Sequence, residues 1–568
     1  MHLKLVARFI AVVCLGLPPY DLGYAQVIER HQPPVGEGRR APILEPDALP
    51  AEKNDTPIGP QLKSLVILGR DQSVKMPVIE GVDVSSVPRL VAARAEIEAD
   101  LNPFIGRTLS RKLIAQVEEV IARRYRRLGF PFVSLSTPDQ KISDGVLQVR
   151  VIEFSIGKVV TSNLPKPSIG NTIDQVGLKP GDAINASKLS RDLAWLNRYP
   201  FRSIQAVFAP SQTPGGTDLI LSAQSSKPWQ LYLGYDNSGS PSSTLDRYFA
   251  GGVFGGVLGR DSVISVQVTS SRDALAGAEH PNYASEAISY ILPVFRVAQI
   301  EANFDHIEAN QPSGDFRIRL KANEGALGVR FSNPVVASAS TQSDLRLGLN
   351  VKHQETITLF GGENVAGLST EEYWLFAGCH VQQQSYHASS IGDLAIHLSV
   401  GGADRDVQVQ SMSHGRGSRA SYGYATLFLE HVQPLSQYIR WKAQISGQWS
   451  PQMLPRMEQA GLGGPSLVRG YSLDTGSFDS SLILRNEFHS VPPHDFPSMI
   501  SVFAFYDAGF GWSEQRNAAT KLSALGVGAS QKILEVSNLN LTIARILASS
   551  LGARAGDWKA EVSLSFRY

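Results

Sequence analysis

"LRLGLNVK", residues 345–352, changes polarity at every step. Leu345, Leu347, Leu349 and Val351 fall on one side of an extended chain, and Arg346, Gly348, Asn350 and Lys352 on the other. A period of two predicts a strand with one apolar and one polar face. "FRIRLKA" from Phe316, "IRWKAQISGQW" from Ile439 to Trp449 and "WKAEVSLSFRY" from Trp558 to Tyr568 repeat the pattern. Gly, Ser, Asp, Asn and Pro turns separate such segments, and aromatics stand at their ends.

Two architectures alternate in this way, a soluble β-sandwich and a transmembrane β-barrel. Arg and Lys inside the strands suit a wet lumen. Phe566 and Tyr568, both on the apolar face of the last segment, also suit a barrel. Residues 227–568 are therefore expected to form a membrane β-barrel. At ~20 residues per strand and connection, and with even strand numbers the rule, about 16 antiparallel strands are predicted. A barrel of that size can enclose an aqueous channel. Composition agrees: charged residues are 18% and glycines number 50, against an average charged share of about 25%. The net charge of +1 gives no pull toward nucleic acid, and no nucleic-acid partner is expected.

The first 25 residues read as a secretory signal. His2, Lys4 and Arg8 precede the apolar run Phe9–Leu17, and Gly23-Tyr24-Ala25 supplies small residues for cleavage after Ala25. Cys14 would leave with it, so Cys379 would remain without an internal disulfide partner. No later run of 18 apolar residues follows, so no transmembrane helix is expected. Residues 26–61 hold prolines 33, 34, 42, 46, 50, 57 and 60 and read as an extended linker.

Residues 62–226 read as two copies of one α+β unit, 62–154 and 155–226. In the first, the strand LKSLVILG precedes a helix capped by Thr108 or Ser110. Its stripe is Leu113, Val117, Val120, Ile121 and Tyr125, and Gly129 stops it. The strands FVSLS and GVLQVRVIEF follow. In the second, IGKVV, a helix with Leu189, Leu193 and Leu196, SIQAVFAP and TDLILSAQ take the same places. An offset of roughly 70 residues marks a duplicated domain, not a solenoid.

Catalytic patterns are missing. The sequence has no G-x-S-x-G, H-E-x-x-H or C-x-x-C, and Gly157-Lys158 lacks the upstream glycine of a phosphate-binding loop. "GRGSRA" from Gly415 lies between alternating strands and reads as a turn. His280, His306 and His353 read as solvent or lumen residues. No catalytic residue, cofactor or metal is expected, and the chain does not read as an enzyme.

One connection stands out. Residues 450–478 join two strands and contain "GLGGPSLVRGYSLD", with a lone Arg469 among glycines. A loop of this length without structure of its own is usually functional. Downstream, "FAFYDAGFGW" places Asp507 inside an apolar strand. A carboxylate at bilayer depth should face the lumen and take a counter-charge. A planar guanidinium can bind both its oxygens, so Arg469 is expected to reach inward and pair with Asp507. Phe505 and Gly509 share the lumen face with Asp507 by period two.

Two α+β units, a barrel, Val468-Arg469-Gly470-Tyr471 and Phe505-Tyr506-Asp507-Ala508-Gly509 together resemble the Omp85 superfamily. With two units and "LGYDNSGSPSSTLDRY" opening the barrel, the chain is similar to the TpsB two-partner-secretion transporters, the hemolysin secretion/activation proteins. The resemblance implies two periplasmic POTRA domains before a 16-stranded outer-membrane barrel. It also implies a loop that folds into the pore with its Arg on the Asp of F-x-D-x-G. The partners implied are a secreted exoprotein caught by its N-terminal secretion domain, outer-membrane lipids, and the barrel-assembly machinery through Phe566 and Tyr568. The family often carries an N-terminal plug helix; residues 26–61 are too proline-rich for a long one, and a short one fits only Gln26–Gln32. A rival within the superfamily is an assembly factor that inserts other barrels.

Overall fold

The computed structural model describes residues 52–74, 80–142, 144–162, 176–212, 215–295, 297–313, 315–332, 341–385, 388–402, 421–492, 500–513, 519–534, 536–550 and 552–568. The expected signal peptide, the linker up to residue 51 with the short helix at Gln26–Gln32, and the turn at 415–420 lie outside the described residues. Contacts divide the chain into two compact units, one ending with 202–225 and the other comprising 226–568 with Tyr199–Phe201.

The first unit holds both α+β copies. Its elements begin with β1 (Pro57–Gln61), β2 (Ser64–Leu68), β3 (Gly81–Asp83), α1 (Pro88–Val91), α2 (Arg94–Leu101), β4 (Thr108–Ser110) and α3 (Arg111–Arg127). β5 (Val133–Ser136) and β6 (Val146–Glu153) complete the first copy. The sheet order is β3-β2-β6-β5, and every residue of β2 is buried. Of the two candidate caps, Ser110 holds the helix: its Oγ accepts from Leu113 N at 3.2 Å. Leu113, Val117, Ile121 and Tyr125 are buried against the sheet, with Val120 at the margin. Gly129 ends the turn at φ 84°, a conformation glycine adopts without steric cost.

Two features depart from the sequence reading. The end of the expected linker is β1, which pairs antiparallel with β4. Pro57 and Pro60 are tolerated because this is an edge strand with an irregular ladder. Asp55 fixes it by accepting from Ser110 Oγ at 2.8 Å and Lys112 Nζ at 3.0 Å. Helices α1 and α2, with buried Leu90, Ile97 and Leu101, were not anticipated at all.

The second copy contains β7 (Ser155–Ser162), α4 (Ala186–Leu196), β8 (Arg202–Pro210) and β9 (Gly216–Ser225), with sheet order β7-β9-β8. Asn185 caps α4 by accepting from Lys188 N at 2.8 Å. Leu189, Leu193 and Leu196 face the sheet, so helix, strand and strand recur in the order of the first copy.

The barrel strands are β10 (Trp229–Asp236), β11 (Arg247–Gly255), β12 (Val263–Ser270), β13 (Tyr283–Phe295), β14 (Ala298–Ser313), β15 (Phe316–Ser332), β16 (Thr341–Phe360) and β17 (Glu363–Gln384). They continue with β18 (Ser389–Gly402), β19 (Gly423–Pro434) and β20 (Ile439–Trp449). After a long connection holding β21 (Ala460–Gly461) and β22 (Ser477–Phe478) come β23 (Ser480–Ser490), β24 (Ser501–Trp512), β25 (Thr520–Leu534), β26 (Ser537–Ile546) and β27 (Trp558–Arg567). All but β21 and β22 form one closed antiparallel barrel of 16 strands, sealed where β27 pairs with β10.

Of the residues expected on the outward face, Leu347, Leu349 and Phe566 are exposed along the wall, and Leu375, Leu398 and Val527 join them. Asn350 and Lys352 point inward and are buried. "FRIRLKA" runs in the opposite sense. Its register on β16 puts Leu320 and Ala322 on the face of Glu324 and Lys352, and Leu320 and Ala322 pack in a lumen cluster with Met457 of the long connection. The physical reason is length. β14–β17 run 16, 17, 20 and 22 residues, more than the apolar belt needs. Along β14 the outward residue changes from Phe304 to His306, and along β16 from Val351 to His353. Past that point the outer face is solvated and the inner face packs on the loop.

Candidate functional site

The connection from Ser450 to Asp479 folds inward as a hairpin. β21 pairs with β22, matching Ala460 to Phe478 and Gly461 to Ser477. At the tip, Leu467 N donates to Gly464 O at 3.1 Å and Val468 N to Leu462 O at 3.0 Å. Leu462, Leu467, Val468, Tyr471 and Phe478 join Ile483, Leu522, Ala524 and Ile546 of the wall in a buried cluster. The glycines of "GLGGPSLVRGY" therefore shape a packed insert rather than a solvated turn.

Arg469 is 3% exposed and fully engaged. Its Nε donates to Asp507 Oδ2 and its Nη2 to Asp507 Oδ1, both at 2.7 Å. Its backbone amide adds a bond to Oδ2 at 3.2 Å. Nη1 lies 2.7 Å from Glu487 Oε1. The guanidinium stacks over Phe505, 3.6 Å from the ring centre. Charge-assisted, two-pronged pairing of this kind is among the strongest contacts a guanidinium makes.

The structure brings all seven residues singled out in the sequence to one place. Gly470 takes φ 88°. A side-chain carbon at 470 would lie 3.1 Å from Ala544 Cβ. One at Gly509 would lie 2.7 Å from Val468 Cγ2, so Val468 seats where β24 carries no side chain. Tyr471 Oη sits 2.6 Å from Ala548 O and 2.9 Å from Ser523 O, and accepts from Ser523 N at 3.2 Å.

Sequence reading missed Glu487 and Arg485. Alternation along β23 held a signal for both, because Arg485 and Glu487 share the face of Ile483, and Arg485 is directly opposite Asp507. His489 Nε2 also contacts Glu487 Oε2 at 2.8 Å. A second contact, with β16 and β19, was missed as well. Glu458, at the root of the insert, meets Lys352 Nζ of β16 at 2.5 Å and accepts from Tyr424 Oη of β19 at 2.7 Å. Lys352 Nζ lies 4.4 Å from the centre of the Trp374 ring. The insert is thus fixed to the wall at two places, by Glu458 at its root and by Arg469 at its tip.

No group of His, Cys, Asp and Glu that could hold a metal ion occurs among the described residues. Cys379 lies on β17.

Residues 215–531 match the haemolysin secretion/activation proteins ShlB/FhaC/HecB, and residues 78–153 match the ShlB-type POTRA domain. The chain is 19% identical over 497 residues to the heme/hemopexin transporter protein HuxB of Haemophilus influenzae (strain 86-028NP), covering 84% of this chain and 85% of the relative. It is 23% identical over 434 residues to the outer membrane transporter CdiB of Escherichia coli O6:K15:H31, covering 72% and 68%. The solved structure of CdiB from Escherichia coli superposes with a TM-score of 0.68 at 18% identity, covering 93% and 94%. A 16-stranded barrel holding an inserted V-R-G-Y loop thus coincides with a family match over most of that barrel: the chain belongs to the haemolysin secretion/activation protein family of outer-membrane transporters.

Proposed function

We propose that this outer-membrane transporter carries one unfolded exoprotein through its barrel and that residues 450–478 are the movable plug. The observation behind this reading is the buried insert, whose Arg469 binds Asp507 and Glu487. Val468, Arg469, Gly470, Tyr471, Phe505, Asp507 and Gly509 act as its lock. The POTRA units, with boundaries at 62–154 and 155–226, take the exoprotein's N-terminal secretion domain by adding an extended strand to a sheet edge. Backbone pairing accepts varied sequence at modest affinity, which suits handover. Folding of the cargo outside then opposes backsliding. The barrel performs no covalent step. Phe566 and Tyr568, exposed on the outer face, serve as the handle for the barrel-assembly machinery.

The test is secretion of a neighbouring candidate exoprotein into the medium, with and without this chain, while other outer-membrane proteins are quantified. Loss of that exoprotein alone is the expected result. A general fall in barrel proteins would overturn the reading in favour of an assembly factor.

A further inference from the structure

If the insert is to leave and return, Arg469 must leave with it. Asp507, 0% exposed, and Glu487, 7% exposed, would then lose their shared cation. Two neighbouring carboxylates stripped of that cation repel one another along the low-dielectric wall, so a replacement charge on the wall eases reversible departure.

We infer that Arg485 is that replacement: a positioning residue that holds the loop in the closed barrel and takes over Asp507 and Glu487 when the loop departs. Three observations carry this. Arg485 stands directly opposite Asp507 in the β23–β24 ladder, a spacing at which side chains meet. Its Nε is buried without a hydrogen-bond partner and lies 3.8 Å from Asp507 Oδ1. Its Nη1 donates at 2.8 Å to Ser466 O, a backbone atom of the plug itself. Nη2 already lies 3.4 Å from Glu487 Oε1.

Departure of the plug therefore vacates both oxygens of Asp507 and releases Nη1 in one event. A small swing of the guanidinium then brings Nε onto Asp507, while the fork keeps Glu487. Arginine suits this because its donors are fixed in a plane and it stays charged. Other cations nearby are committed elsewhere. Lys442 pairs with Glu430 at 3.0 Å, Lys559 reaches toward Tyr471 O at 3.5 Å, and His489 holds Glu487.

The inference rests on the plug reading, and the test separates the two. The full chain is reconstituted in planar bilayers, and the frequency of open events is compared for wild type, R469A, R485Q, D507N and R485Q/D507N. Heat-shifted mobility of the folded barrel confirms assembly of each. R469A should open more often. R485Q should open less often, by about tenfold or more, because repulsion between two uncompensated carboxylates outweighs one lost bond to a neutral carbonyl. In the D507N background most of the R485Q effect should vanish, since the main charge to be covered is gone. R485K, which keeps the charge without the fork, carries the same test if R485Q fails to assemble, with a smaller fall expected. An R469A barrel indistinguishable from wild type would overturn the plug reading itself. More frequent opening in both R469A and R485Q would leave the plug intact and overturn the inference, reducing Arg485 to a clasp on Ser466.

Discussion

Arg469→Ala is expected to leave the barrel assembled, loosen the plug and sharply reduce secretion. The closed barrel buries Asp507 completely and satisfies it with two side-chain bonds and one backbone bond from a single residue. Removing one partner of a buried ion pair costs about 3–5 kcal/mol, which is a shift of roughly two to four decades in an equilibrium. The β-ladder is untouched, so folding and insertion should survive. What fails is the resting position. The tip carries Leu467, Val468 and Tyr471, and an unpinned apolar tip wanders through the space the cargo must use. Asp507→Ala should do the same, leaving Arg469 only Glu487. Arg469→Lys should not rescue, because one ammonium cannot span both oxygens of Asp507 and reach Glu487. Exoprotein in the medium, set against folded barrel in the membrane, is the measurement. Normal secretion by both alanine variants would refute the lock.

Lys352→Met should lower the thermal stability of the folded barrel, and Lys352→Met with Glu458→Met should recover most of the loss. Both side chains are 1% exposed and separated by 2.5 Å. With lysine gone, Glu458 keeps the Tyr424 hydroxyl and loses the ammonium 2.5 Å away, at a cost of about 3–5 kcal/mol. Replacing both charges by apolar groups of similar volume is often close to neutral. Recovery stays incomplete because Lys352 also lies 3.5 Å from Glu324. The temperature at which the heat-shifted band converts to the unfolded one reads the effect. An unchanged temperature for Lys352→Met would show that the root of the plug is held by packing of Met457 and Leu454 instead.

Most of the architecture was legible because alternation is local. Leu345–Lys352 announces its two faces within eight residues, and the helix from Arg111 announces its stripe and cap in the same way. Which face looks out is a different question. "FRIRLKA" alternates as cleanly, yet it lies past the apolar belt, where water covers the outside and the insert packs on the inside. Alternation there reports two environments without saying which is which. Arg469 and Asp507 could be joined from a distance because each looked wrong where it stood, a cation among glycines and a carboxylate in an apolar strand. Alternation along β23 placed Arg485 and Glu487 on a lumen face, but polar residues are ordinary there, so only the pairing with β24 singles them out. Glu458 and Lys352 are 106 residues apart and meet only because the insert folds back into the barrel.

A disulfide between the plug tip and the wall tests most directly whether the plug must move. A side-chain carbon at 509 would lie 2.7 Å from Val468 Cγ2, so cysteines at the two positions would bring their sulfurs into the same space, as a disulfide requires. Val468→Cys with Gly509→Cys, in a chain whose Cys379 is replaced by serine, should secrete nothing when oxidised and recover when reduced. Secretion at the same rate in both states, with the crosslink shown to be complete, would contradict a path through this lumen.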